Sequence, residues 1–188
     1  MMNKALLSFA GLAAFTLTAS AADVAAPASL RFAEESKEAP DFQRHVLPVL
    51  GKLGCNGRAC HGSFQGAGGL RLSLFGYDFK SDHEALTKGE KPRIDPDSPE
   101  SSRIIAKPTL KMPHKGGERI KVDSWEHRLI LRWVEAGAKP TTGDVQFKTL
   151  DVTPKEMVFK KPGEKTQLKV LARWSDGSPM RVTQGIKA

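Results

Sequence analysis

The sequence predicts a mainly α fold of short helices joined by long loops, followed by a partial all-β segment. Three observations lead to this prediction. Apolar residues recur at spacings of three and four between Phe42 and Leu53, which is the helical period. The stretch 123–138 carries the strongest amphipathic helical pattern in the chain. At 167–174 the period changes to two, as in a half-buried β-strand.

The N-terminus predicts export. Residues 1–21 combine a short basic start, an uncharged apolar run and the small residues "ASA", which together have the form of a signal peptide. The apolar run is shorter than the roughly 20 residues that span a bilayer. No later apolar stretch approaches that length, so we expect no transmembrane segment and a location in the periplasm or outside the cell. The Ala-rich stretch 22–40 predicts a flexible leader.

The first and last helices have recognisable ends. Asp41 is the predicted N-cap of the first helix, and Pro48 predicts a kink or a fresh first turn inside it. For the last helix, Asp123 and Glu126 have the spacing of a capping box. Gly137 is the predicted terminator of that helix.

The last helix also predicts part of a core, because its apolar residues form one stripe. The stripe consists of Trp125, Leu129, Ile130, Trp133 and Val134. These signals bound a domain of short helices at 41–138.

The C-terminal part predicts β structure. A linker at 139–146 precedes the segment 147–188, where Leu168, Val170, Ala172 and Trp174 alternate with more polar residues. A complete sandwich of immunoglobulin type needs about 100 residues, so this segment is too short for one.

The charge argues against one class of partner. The chain has 29 Lys and Arg against 21 Asp and Glu, a formal net charge of +8. The cations are scattered and are not interleaved with aromatic residues, so we expect no nucleic-acid binding. An acidic protein partner is compatible with this charge.

The chemistry of the sequence is concentrated in "GCNGRACHG" at 54–62. It holds both cysteines, Cys55 and Cys60, and His61 follows the second directly. A disulfide is one interpretation, because two cysteines in an exported chain most often pair. A zinc site is another, although these three ligands need a fourth, for which His114 is a candidate. The third is covalent haem, with two thioethers from the cysteines and His61 on the iron. That interpretation departs from C-x-x-C-H, because four residues separate the cysteines instead of two.

The surroundings of the motif favour haem. A helix precedes it, a loop rich in proline and glycine carries Met112 and His114, and the tryptophan-bearing helix closes the domain. This order of elements is the arrangement of a small c-type cytochrome, in which the loop supplies the second axial ligand. Met112 is followed by proline, as in the methionine loop of many cytochromes c.

Residues 41–138 resemble the planctomycete-type cytochrome c domain, in the variant with C-x-x-x-x-C-H. The matching stretches are "VLPVL", "GCNGRACHG", "GGLRLSLFGYD", "DPDSPESSRIIAKPT", "PHKGGERI" and "LRWVEAGA". Residues 151–183 resemble the first half of a bacterial group 2 Ig-like domain.

The first resemblance implies the small cytochrome c fold, with short helices around one covalently attached haem c. Cys55, Cys60 and His61 would attach and ligate it. His114, in "PHKGG", matches that branch as the sixth ligand, with Met112 or an open site as alternatives. His/Met ligation raises the reduction potential relative to two histidines.

The function expected is that of an exported monohaem electron carrier with a redox protein partner, as one module of a larger multidomain protein. It is not an enzyme by itself, because no acid–base pair supports peroxidase chemistry. The first alternative is a non-redox extracellular interaction module with a Cys55–Cys60 disulfide and an Ig-like domain. The second is a haem sensor or enzyme with an open sixth site.

Other polar residues have structural explanations. His45, His83 and His127 are expected to be surface or hydrogen-bonded histidines and not ligands. Arg71 and Arg103 are candidates to pair with haem propionates, on charge alone.

Overall fold

The computed structural model describes residues 24–33, 36–62, 64–88, 91–141, 143, 145–181 and 186–187. The prediction of a mainly α chain is wrong. The fold is mixed, with 32% helix and 12% strand. The reason is that the helices are short, glycine- and proline-rich loops separate them, and the C-terminal segment adds an antiparallel sheet. The predicted signal peptide lies outside the described residues.

Five α-helices are described, and only the last exceeds nine residues. They are α1 (Ala28–Arg31), α2 (Leu47–Lys52), α3 (Phe79–Thr87), α4 (Arg103–Ala106) and α5 (Trp125–Glu135). Single 3₁₀ turns lie at Ala67–Gly69, Leu74–Gly76 and Pro99–Ser101. Among the described residues no helix has the length and apolar character needed to cross a bilayer.

The first predicted helix is divided at the proline. A π-helical turn covers Phe42–Val46, and α2 follows with Pro48 in its first turn. Proline fits there because the first turn does not need its missing N–H. The Asp41 carboxylate accepts the Arg44 N–H at 2.8 Å, so the predicted N-cap is confirmed.

The N-cap of α5 differs from the prediction by one residue. The Ser124 side chain accepts the His127 N–H at 3.2 Å, whereas Asp123 has φ 61° and lies outside the helix. The predicted end is confirmed, since Gly137 follows the helix with φ 88° and the Ala138 N–H donates to the Trp133 carbonyl at 2.8 Å.

The core forms around the apolar stripe of α5. Leu129, Ile130, Trp133 and Val134 are all fully buried there. They pack with residues of the π-helical turn, α2, α3 and α4. The segment predicted as a flexible leader also takes part, because Phe32 is fully buried and its carbonyl accepts the Arg128 Nε–H.

The sheet places one long strand beside three shorter ones. β1 (Phe147–Thr153), β3 (Pro179–Arg181) and β4 (Ile186–Lys187) all pair antiparallel with β2 (Gln167–Trp174). In β2 the residues Val170, Ala172 and Trp174 are buried and alternate with more exposed ones, as the period of two predicts.

The sheet contacts the helical part at the start of the first helix. Arg44 forms an ion pair with Asp176 at 2.6 Å, and its guanidinium lies 5.0 Å from the centre of the Trp174 ring. Ala25 also forms an isolated parallel bridge with Met180.

Candidate functional site

The cysteine motif begins where α2 ends. The Cys55 N–H donates to the Leu50 carbonyl at 2.9 Å, which continues the hydrogen bonding of the helix into the loop. Cys55 is half-buried and packs against the apolar core. The first cysteine is therefore positioned by a helix and by the core.

Backbone hydrogen bonds close the loop between the cysteines. The His61 N–H donates to the Cys55 carbonyl at 2.9 Å, and the Gly62 N–H donates to the Gly57 carbonyl at 3.0 Å. A Cβ on Gly62 would lie only 2.1 Å from the Asn56 carbonyl oxygen, so glycine is required there. The four residues between the cysteines form a compact turn that keeps His61 beside Cys55.

The two thiols are unlinked and close enough to interact electrostatically. Both cysteines are free and partly buried. Burial raises the pKa of the Cys55 thiol to about 11, and the neighbouring Cys60 acts in the same direction. Arg119, in the loop before α5, opposes this shift, which places a cation near the pair. The Cys55 thiol is consequently protonated at neutral pH.

The His61 ring is oriented by backbone carbonyls. Its Nδ1 lies 3.1 Å from the Ala67 oxygen and 3.2 Å from the Leu70 oxygen. Carbonyl oxygens only accept, so Nδ1 carries the proton and Nε2 has its lone pair free. Burial lowers the pKa of His61, with the charges of His114 and Arg93 acting in the same direction. His61 is therefore neutral, as metal ligation requires.

His114 has the same arrangement on the facing loop. Its Nδ1–H donates to the Gly117 carbonyl at 2.8 Å, so its Nε2 is also free. The ring lies over Gly116, where a Cβ would come within 2.9 Å of Cε1. Since its charge acts on His61, the fold brings the two histidines of distant loops into one neighbourhood.

Met112 lies on the same loop in a more open position. Its side chain is exposed, and its backbone N–H donates to the Ala106 carbonyl at 2.8 Å. The charge of His114 is felt at His61, which places these two histidines near each other.

Large apolar side chains are exposed on the two loops that carry these ligands. Phe64, Phe75 and Tyr77 follow the motif and are 80–89% exposed, while Leu110 and Met112 flank the second ligand loop. These side chains offer apolar surface to a ligand or partner on both loops.

The other histidines are held by the core. His83 Nε2 bonds to the Ala138 carbonyl at 2.7 Å, and its ring packs against Phe42 and Trp133. His45 and His127 are buried.

No bare metal site is described. Among the residues for which the structure gives positions, no group of three or more His, Cys, Asp or Glu side chains could hold an ion. Zinc ligation requires such a group, so we do not propose it.

Sequence reasoning missed Arg93, which is buried next to the His61 loop. Arginine is rarely buried without a partner, but its sequence context "KPRID" carries no signal of burial. The two arginines that were predicted are more open. Arg71 is exposed and stacks on Phe64, with 5.1 Å between guanidinium and ring centre, and Arg103 is half-buried.

Comparisons of the chain with protein-family models, curated proteins and solved structures found no match. The resemblance to a cytochrome domain therefore rests on the sequence stretches.

Proposed function

We propose that the chain is an exported monohaem c-type cytochrome module that carries single electrons. The observation that supports this most is the matched arrangement of His61 and His114. Each ring directs Nδ1–H to a backbone carbonyl and keeps Nε2 free, and the charge of His114 acts on His61. Metal-ligating histidines have this second-shell pattern.

The residues present have the chemistry that haem c needs. Cys55 and Cys60 would supply two thioethers, and His61 and His114 would ligate the iron. Haem iron held in this way exchanges one electron between its ferric and ferrous states. The chain's own contribution is to orient both imidazoles through backbone carbonyls. The exposed apolar residues of the two ligand loops supply a surface that a porphyrin would cover.

Ligation by two histidines predicts a lower potential than ligation by histidine and methionine. It also predicts a filled sixth site, which separates a carrier from a haem sensor or enzyme. The partner is a redox protein with an acidic surface. Cations on and near the two ligand loops favour it, since Arg58, Lys115, Arg119 and Lys121 are exposed there.

Export belongs to the proposal as well, because residues 1–21 have the form of a signal peptide. The sheet at 147–187 would join this module to further domains of a longer protein, as the resemblance to an Ig-like domain implies.

A redox titration of the purified protein tests this function. The full chain is produced in a host with the cytochrome c maturation system, and its absorbance is followed against electrode potential. We expect a single transition in absorbance, with the dependence on potential of a one-electron reduction. We also expect a ferrous form that does not bind carbon monoxide. A colourless protein with a Cys55–Cys60 disulfide would contradict the proposal and favour the interaction module.

A further inference from the structure

Arg93 is a buried cation with an unsatisfied donor. It is 9% exposed, and its Nη2 donates to the Gly69 carbonyl at 2.9 Å, with the Gly68 carbonyl at 3.5 Å. Its Nε is buried and has no hydrogen-bond partner among the described residues. A guanidinium offers five N–H donors in a planar fork, and the described residues use only those of Nη2.

No described carboxylate forms an ion pair with Arg93. Of the eight ion pairs in the described part of the chain, none includes Arg93 or Arg103. Burial lowers the pKa of Arg93, and the neighbouring cation Arg103 lowers it further. Burying a cation without an anion is costly, so two neighbouring guanidiniums without a carboxylate indicate a site for an anion.

Arg93 and His61 are held by the same short loop. The carbonyls of Ala67 and Leu70 accept from His61, and those of Gly68 and Gly69 accept from Arg93. The Arg93 backbone is fixed as well, because its N–H donates to Leu86 at 2.8 Å and its carbonyl accepts from Ile104 at 3.1 Å. An anion on Arg93 would therefore lie next to the proximal histidine.

We propose that Arg93, assisted by Arg103, binds a propionate carboxylate of the haem. This inference rests on the function proposed above. A carboxylate matches the guanidinium fork in geometry and charge, and it would occupy the donors that the chain leaves free. Arg93 thus replaces Arg71, which lies exposed on Phe64, as the principal anchor.

The proposal has a specific electrostatic signature. An adjacent arginine lowers the pKa of a carboxyl by about 1–3 units, so the wild-type propionate is ionised across the neutral range. Arg93→Gln raises that pKa by the same amount and removes a positive charge near the iron. The variant should have a lower potential, and its potential should fall further as pH rises through the new propionate pKa, because the added negative charge favours ferric iron.

The test measures the potential of the matured full chain against pH. Arg93→Gln is compared with wild type and with Arg71→Gln, an exposed arginine in the same part of the chain. We expect a new ionisation in the curve of Arg93→Gln, a smaller shift of the same sign in Arg103→Gln, and a wild-type curve for Arg71→Gln. Arg93→Lys keeps the charge and should lie between wild type and Arg93→Gln.

The outcomes separate this inference from the function on which it rests. A wild-type chain without haem contradicts the function itself. If the wild-type chain carries haem and Arg93→Gln has the wild-type potential curve, the inference is overturned while the proposed function stands. If Arg93 only clamps the Gly68–Gly69 loop, its loss would disturb the low-spin spectrum of His61 ligation without adding an ionisation. Where Arg93→Gln does not accumulate, an Arg103→Gln curve equal to that of Arg71→Gln overturns the inference.

Discussion

The turn that keeps His61 beside Cys55 depends on glycine at position 62, and Gly62→Ala tests that dependence. The new methyl group would lie 2.1 Å from the Asn56 carbonyl oxygen, 2.8 Å from its carbon and 3.1 Å from the Gly57 carbonyl carbon. Optimal contacts between heavy atoms are about 3.5–4.0 Å. All three neighbours are backbone atoms, so the turn itself must shift by about 1 Å.

The cost follows from what that shift breaks. Three backbone hydrogen bonds of 2.8–3.0 Å join residues 61 and 62 to Cys55, Gly57 and Leu72. Each hydrogen bond contributes about 1 kcal/mol to stability, and overpacking costs about 1–3 kcal/mol. Partial loss of the hydrogen bonds together with this strain gives a total cost of about 3 kcal/mol. We expect Gly62→Ala to lower the free energy of unfolding of the matured chain by this amount.

Gly51→Ala is the matched control. Position 51 is inside α2, and a Cβ there would meet only the Asn56 side chain, at 3.8–4.0 Å. Alanine is the better helix former, so this variant should gain about 0.5–1 kcal/mol. Urea denaturation measures both variants, and hydrogen exchange of the His61 and Gly62 amides locates the effect. Wild-type stability and amide protection in Gly62→Ala would refute the described turn.

Three further predictions concern the ligands, the pH dependence and the core. His114→Ala should open the sixth site, so that the ferrous protein binds carbon monoxide, whereas Met112→Ala should keep the wild-type spectrum; the reverse pattern would assign the ligand to methionine. Burial, with Arg31 and Arg44, lowers the pKa of His45 to about 3, so the stability it contributes is complete above about pH 6.5 and is lost as pH falls toward 3. The His45→Asn variant should lose less stability than wild type in acid unfolding over that range, and an identical pH profile would contradict the assignment. Trp133→Ala should cost about 3–5 kcal/mol in urea denaturation because the side chain is fully buried, and a loss below about 1 kcal/mol would show that it does not pack in the core.

Local signals in the sequence predicted the elements that have local causes. Asp41 caps the first helix, Pro48 lies in a first turn and Gly137 ends α5, because each acts through its own backbone. The cap of α5 was assigned to Asp123 instead of Ser124, since both residue types cap helices and adjacent positions compete. The sequence also predicted a flexible leader, but Phe32 finds its place against α5 only through a long-range contact.

The candidate site was predicted in part. The sequence places Cys55, Cys60 and His61 in one short segment, but their spacing alone leaves the disulfide, zinc and haem interpretations open. The position of His114 near His61 depends on how two loops meet, and the burial of Arg93 depends on the segments that surround it. Neither has a periodic signal. The predicted fold class was wrong for a related reason. Sequence periodicity identifies helices, but it does not show how much of the chain lies in glycine- and proline-rich loops and in the sheet.

The central claim is that Cys55 and Cys60 bind one haem covalently. The most direct test is the mass of the denatured polypeptide, measured for the matured wild-type chain and for the Cys55→Ser/Cys60→Ser double variant. The account predicts a wild-type chain heavier than its own sequence by one haem, and a double variant with no added mass. A wild-type chain without that added mass, or lighter by the two hydrogens of a disulfide, would contradict it.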